Sequence, residues 1–226
     1  MIERRWFPQT DLYGVTASEY SLGRSNQEVV QQMLEAGIKL IQYRDKEFTI
    51  RHKYDECLVI RKLCREYDAC FIVNDDVHLA LAVEADGIHV GQDDLPVVKV
   101  RELVGEKMLI GLSTSTPQQA AQAVNSGVVD YLGVGPIYDT STKKEAGVPV
   151  GLDYLDYLVQ RYRIPLVAIG GIKLSNVANV IRHGVTYVVM ITDIVGADNI
   201  GQRIRAIRET ISIAKASLKK PKQSMR

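Results

Sequence analysis

No run of about 18 consecutive apolar residues occurs in the chain, so no segment is expected to cross a membrane as a helix. Met1 to Gly14, with Glu3, Arg4, Arg5 and Asp11, also lacks the apolar segment of a secretory signal, and the protein is expected to be soluble and cytoplasmic. An excess of charge of one sign is missing as well. Lys and Arg total 28 against 27 for Asp and Glu, a net charge of +1, which leaves no long-range field to gather nucleic acid or an anionic membrane. Any phosphate chemistry must therefore come from local clusters. Cysteine is scarce: there are three, without C-x-x-C spacing, and Cys57 and Cys64 share a helical stripe with Ile60 and Tyr67, as reduced core residues do. None of His52, His78, His89 and His183 has metal-ligand spacing to another His or Cys, so all four read as structural, with only His89 near a strand end. A Gly-rich turn after the first strand is absent too. Thr16-Ala17-Ser18-Glu19 stands there instead, which ranks a doubly wound open sheet second to a closed barrel.

What is present is alternation. Short apolar, β-branched runs begin near Leu12, Ile38, Cys70, Ile88, Met108, Tyr131, Leu166 and Tyr187, the last extending to Ile191, and each is separated from the next by a segment of helical period. Near-continuous apolarity fits strands covered on both faces. Val29, Met33, Leu34 and Ala36 mark the first helix, and Ile200, Ile204, Ile207, Ile211, Ala214 and Leu218 mark the last. Gly37, Gly127 and Gly184 stand where helices end just before a strand. The expected architecture is a TIM (β/α)8 barrel of eight parallel strands. Residues 1–218 form one catalytic domain, and 219–226, basic and broken by Pro221, form a frayed, disordered tail.

In such a barrel the chemistry sits in the loops at the C-terminal strand ends. After the second run, strand alternation aims Gln42, Arg44 and Lys46 to one side, which suits an oligophosphate; the same residues also read as a solvated strand end paired with Asp45 and Glu47. Asn74-Asp75-Asp76 follows the third run and Gly91-Gln92-Asp93-Asp94 the fourth, so neighbouring strand ends bring carboxylates to one rim. Their repulsion is relieved by a cation such as Mg2+, while one acid of each pair, Asp76 and Asp93, reads as a helix cap. Thr116-Pro117 reads as N-cap and N1, leaving Ser113 for a ligand. The sixth run leads into the hydroxyl- and lysine-rich loop Asp139 to Gly147, which reads either as a lid over a phosphorylated ligand or as a plain surface loop. Gly170-Gly171-Ile172 opens toward a helix beginning near Leu174, whose bare N–H groups suit a phosphate; a tight turn is the other reading. The eighth end is Ile191-Thr192-Asp193.

QYRDK at 42–46, FIVNDD at 71–76, ADGIHVGQDDLP at 85–96, IGLS at 110–113, YLGVGPIYDTSTKK at 131–144 and AIGGI at 168–172 resemble, in the same order, the thiamine-phosphate synthase family. The likeness runs from about Tyr13 to Ile207. It implies an enzyme that joins a pyrimidine methyl diphosphate to a thiazole phosphate with Mg2+ and releases pyrophosphate. The resemblance implies that Gln42, Tyr43, Arg44, Asp45, Lys46, Asn74, Ser113 and Lys143 bind the pyrimidine diphosphate, with Arg44, Lys46 and Lys143 catalytic. By the same likeness Asp75 and Asp94 hold the metal, and Thr140, Ser141, Thr142, Gly171, Ile191 and Thr192 bind the thiazole phosphate. One block departs from the family: VVMITDIV stands where a small Ser-Ala pair is commoner, which leaves open whether Thr192 or Asp193 meets the phosphate. A related thiazole tautomerase, which works without metal, and a non-catalytic phosphate-binding barrel are the competing readings. The sequence carries no obvious interface stripe, so monomer and homodimer stay equally open.

Overall fold

The eight apolar runs pair side by side in chain order as one parallel sheet, β1 (Gly14–Val15), β2 (Leu40–Tyr43), β3 (Cys70–Asn74), β4 (Gly87–Val90), β5 (Leu109–Thr114), β6 (Tyr131–Val134), β7 (Leu166–Ala168) and β8 (Tyr187–Val188). These elements are seen in a computed structural model, which describes residues 7–140, 142 and 147–219. Leu12 bridges Val188, Tyr13 N–H donates to the Val188 carbonyl at 3.0 Å and Val188 N–H to that of Asp11 at 3.1 Å, so the first and last strands meet and the sheet closes into a barrel. Around it lie α1 (Asn26–Glu35), α2 (Ile50–Glu66), α3 (Val77–Ala82), α4 (Val97–Val104), α5 (Pro117–Ser126), α6 (Gly151–Arg161), α7 (Val177–Arg182), α8 (Ile191–Val195) and α9 (Ile200–Lys219). Among the described residues no helix is long and apolar enough to cross a membrane.

Strand alternation divides the core in two. Tyr13, Val15, Leu40, Ile72, Leu109, Tyr131, Val167 and Val189 point inward and fill the barrel together with Phe7, while Ile41, Tyr43, Phe71, Val73, Ile88, Ile110, Leu132 and Val188 point outward against the helices. Cys57, Ile60 and Cys64 are buried in the outer layer, as their stripe implies. On α9 the stripe is buried from Ile200 to Ala214, but Leu218 is exposed, the helix having run past the barrel wall. Helical backbone continues through Lys219, one residue into the expected tail; residues 220–226 lie outside the described residues. Thr116 caps α5 by accepting the Gln119 N–H, with Pro117 at N1, and Gly127 closes it in the left-handed conformation.

At the N-terminal strand ends, one device recurs three times. Asp86, just before β4, accepts the Phe71 N–H at 2.9 Å and both terminal nitrogens of Arg61 at 2.6 and 3.1 Å. Asp130, just before β6, accepts the Ile110 N–H at 2.8 Å and Arg101 Nη2 at 2.7 Å. Asp11, ahead of β1, takes Arg208 Nε at 3.2 Å on each carboxylate oxygen. Each arginine comes from a covering helix, so helix and strand are tied at the end opposite the loops expected to carry function.

Candidate active site

The C-terminal strand ends surround a cavity of about 260 Å3. From β2 come Gln42, at the buried floor, then Arg44 and Lys46, as alternation requires. The extension that carries the two cations is fixed by the neighbouring strand exit. Thr16, fully buried, accepts the Arg44 N–H at 2.8 Å through its hydroxyl oxygen and donates to the Arg44 carbonyl at 3.0 Å. The same alternation turns Tyr43 and Asp45 away from the cavity. Tyr43 donates to the buried Glu56 at 2.8 Å in the outer layer, and Asp45 accepts Ser18 Oγ at 2.6 Å and the N–H groups of Glu47 and Phe48 at 3.0 Å. The expectation that these two contact the diphosphate is therefore not supported by their positions: they hold the loop that presents Arg44 and Lys46.

Opposite the cations stand Asn74 and Asp75 after β3 and Asp94 after β4. Asp75 has φ of +60°, a left-handed conformation that Asp tolerates better than most residues, and its N–H is held by the His89 carbonyl at 2.8 Å. The turn sets its carboxylate beside that of Asp94, whose Oδ2 accepts the Gly91 N–H at 2.7 Å. Burial, then the neighbouring Asp94 charge, pushes the Asp75 carboxyl up to about 6, with Lys46 (3.6 Å away) and Arg44 pulling the other way. No group of three or more His, Cys, Asp or Glu suited to a metal occurs among the described residues. Two adjoining acids nevertheless fit Mg2+, which takes one or two carboxylates and completes its shell with phosphate oxygens and water. The expected cap roles of the partner acids do not hold. Asp76 stands at the N-cap of α3 without a side-chain cap bond and pairs with Lys53 at 3.0 Å; α4 starts from Pro96, and Asp93 lines the cavity.

The far wall carries Ser113, Thr140, Thr142, Gly171, Ile191 and Thr192. Thr140 Oγ1 donates to Thr142 Oγ1 at 3.1 Å and accepts the Thr142 N–H at 3.3 Å, which orders the start of the sixth loop. Lys143 and Ser141 lie outside the described residues. The double glycine serves close approach: a Cβ on Gly170 would lie 2.4 Å from Pro136 Cβ, and one on Gly171 2.5 Å from the Asp139 carbonyl. The following helix begins at Val177 rather than near Leu174, and the N–H groups of Lys173 and Leu174 are taken by Asn176 at 2.8 Å and Asp193 at 3.0 Å. Strand β8 ends at Val188, so Ile191 and Thr192 open α8 instead of ending a strand. Thr192 faces the cavity, whereas Asp193 turns to Leu174 and lies 3.8 Å from Arg203. Among the lining residues to which the sequence assigned no ligand role are Tyr13, His89 and Gln92, the last donating to the Ser113 carbonyl at 2.6 Å. For His89 the signal was Gly111 and Gly133 inside strands, where a Cβ would run into its ring.

Residues 12–194 match the family model described as thiamine monophosphate synthase. The chain belongs to that family. It is 57% identical over 215 residues to the thiamine-phosphate synthase of Pelotomaculum thermopropionicum, covering 94% of this chain and 98% of the relative. It is 50% identical over 204 residues to that of Lawsonia intracellularis, covering 90% and 94%. Among solved structures it resembles thiamine phosphate pyrophosphorylase from Pyrococcus furiosus, with a TM-score of 0.82 and 33% identity over 90% of this chain and 96% of that one. These relatives are thiamine-phosphate synthases, and this chain is a transferase of thiamine biosynthesis.

Proposed function

We propose that the enzyme joins 4-amino-2-methyl-5-(diphosphomethyl)pyrimidine to 4-methyl-5-(2-phosphoethyl)thiazole, or its carboxylated precursor, giving thiamine phosphate and pyrophosphate. The observation that carries this reading is the convergence of Arg44 and Lys46 with Asp75 and Asp94 in one cavity. The C–O bond between the pyrimidine methylene and the diphosphate breaks, its electron pair leaves with pyrophosphate, and the thiazole nitrogen forms a new bond to that carbon. Neither a nucleophilic side chain nor a strong base is required. Arg44 and Lys46 meet the negative charge that gathers on the leaving group, a role that Lys143 shares. Asp75 and Asp94 would hold Mg2+, which would supply further positive charge to the diphosphate. Asn74 and Ser113 orient the pyrimidine end; Thr140, Ser141, Thr142, Gly171, Ile191 and Thr192 receive the thiazole phosphate. Isomerisation of a thiazole ring without metal would leave the two cations and two acids without a task.

The experiment is an assay with both phosphorylated precursors, following pyrophosphate and thiamine phosphate together. Release of pyrophosphate that depends on Mg2+ and on both precursors is expected. Its absence, with the precursors shown to be intact, ends this reading.

A further inference from the structure

Beneath the cavity, five polar side chains, four from β2, β4, β5 and β6 and one from the residue just before β1, form one unbroken hydrogen-bond chain across the barrel interior. Gln42 Nε2 lies 2.9 Å from the Tyr13 hydroxyl, which lies 2.9 Å from that of Tyr131. The Tyr131 hydroxyl is 3.0 Å from His89 Nδ1, and His89 Nε2 is 2.9 Å from Ser113 Oγ. Tyr13 is 2% exposed and Tyr131 fully buried, so a proton without a partner on either phenol would be desolvated for nothing. Burial also raises the proton affinity of both phenols, so each keeps its single proton. Space for the two rings is reserved. A Cβ on Gly111 would lie 2.1 Å from Tyr131 Cζ and 2.5 Å from His89 Nδ1, and one on Gly133 3.0 Å from His89 Cε1.

With one proton per hydroxyl, this chain has a direction. Tyr13 accepts from the Gln42 amide and so donates to Tyr131; Tyr131, its oxygen occupied by that bond, donates to His89 Nδ1. A neutral imidazole accepting at Nδ1 carries its proton on Nε2, where it donates to Ser113 Oγ. The Ser113 proton is then left for the cavity. We infer that His89 is a positioning residue: the Gln42–Tyr13–Tyr131 relay holds it as the Nε2–H tautomer, and it in turn makes the Ser113 hydroxyl a hydrogen-bond donor that selects a ligand with an unprotonated acceptor at that point. Resting on the proposed function, that acceptor is a ring nitrogen of the aminopyrimidine. Reversing the Gln42 amide would reverse every bond in the chain, put the proton on Nδ1 and make Ser113 an acceptor toward the ligand.

The test is a two-bond 15N–1H correlation spectrum of ligand-free protein labelled at its four histidines, with His89→Gln assigning the His89 signal by its loss. A protonated Nε2 and bare Nδ1 are expected; a protonated Nδ1 overturns the proposal whatever the enzyme makes. Tyr131→Phe removes the donor to Nδ1 without touching the cavity. The KM for the pyrimidine diphosphate should then rise about three- to tenfold, the scale of one oriented hydrogen bond, with the thiazole KM unchanged. An unchanged pyrimidine KM in the folded variant counts against the relay. If Tyr131→Phe does not fold, the wild-type spectrum alone decides. Failure of thiamine phosphate to form, with the Nε2–H tautomer present, removes the proposed function and leaves the relay standing.

Discussion

At one rim of the barrel each acid faces an arginine, Asp86 with Arg61, Asp130 with Arg101 and Asp11 with Arg208; at the other rim Asp75 faces Asp94. The first arrangement meets both charges with hydrogen bonds and joins helix to strand, so it serves stability. The second leaves two carboxylates adjoining, one on left-handed backbone, with a proton affinity raised by burial and by its neighbour. A fold that gives each acid its own hydrogen-bonded arginine at one end, and at the other sets two acids side by side with Lys46 3.6 Å from one of them, keeps a place for a ligand there. The lesson is that ionic residues at strand ends are assigned by what answers them, not by their type.

One substitution at each rim separates the two arrangements most strongly. Asp94→Asn keeps an oxygen for the Gly91 N–H and is expected to lower kcat/KM on the order of a hundredfold or more, with Tm unchanged or higher because repulsion is relieved. Steady-state kinetics and thermal unfolding on the same sample check both halves. Arg101→Ala should show the opposite profile. It leaves Asp130 without its cation and deprives the Gly105, Met108 and Val128 carbonyls of a donor, a loss of roughly 3 kcal/mol in denaturant unfolding with kcat/KM nearly unchanged.

The pH dependence of stability sharpens the contrast further. Because the fold pushes the Asp75 carboxyl up to about 6, its protonated form is favoured in the native state. That contribution is fully present below the ordinary carboxylate value, near pH 4, and is lost as pH rises through about 6. Metal-free protein should therefore lose this increment of Tm between those limits, and Asp75→Asn should flatten the window; an unaltered profile would show that Asp75 is not the group responsible. The smallest effect is expected for Tyr43→Phe. Its hydroxyl donates to Glu56 on the outer side of the barrel, so about 1 kcal/mol of stability is lost and turnover is kept, and a large fall in turnover would return Tyr43 to the ligand site.

Much of the candidate site was legible in the chain because its rules are local. Period-two alternation alone brings Gln42, Arg44 and Lys46 to one face, and it equally sends Tyr43 and Asp45 to the other, a consequence that a contiguous motif conceals. Thr116 with Pro117 announces its helix for the same reason. The partners of His89 were illegible: Tyr131 and Ser113 are 42 and 24 residues away, and no spacing rule connects them to it. Asp193 carries the charge of a phosphate-site intruder in sequence, yet it accepts the N–H of Leu174, 19 residues earlier, and leaves the cavity wall to Thr192.

By itself the sequence determined the alternation of eight strands with helices, the barrel those units close into, and the two cations and two acids at its strand ends. Such features follow from side-chain periodicity and from turn and cap residues a few positions apart. Only the tertiary structure decided which acids are answered by arginine, which way Asp193 turns, and how Gln42, Tyr13, Tyr131, His89 and Ser113 join into one chain. Those outcomes depend on closing the sheet, which brings residues as far apart as Asp11 and Arg208, 197 positions, within hydrogen-bonding distance, and leaves the buried polar groups no water to bond instead.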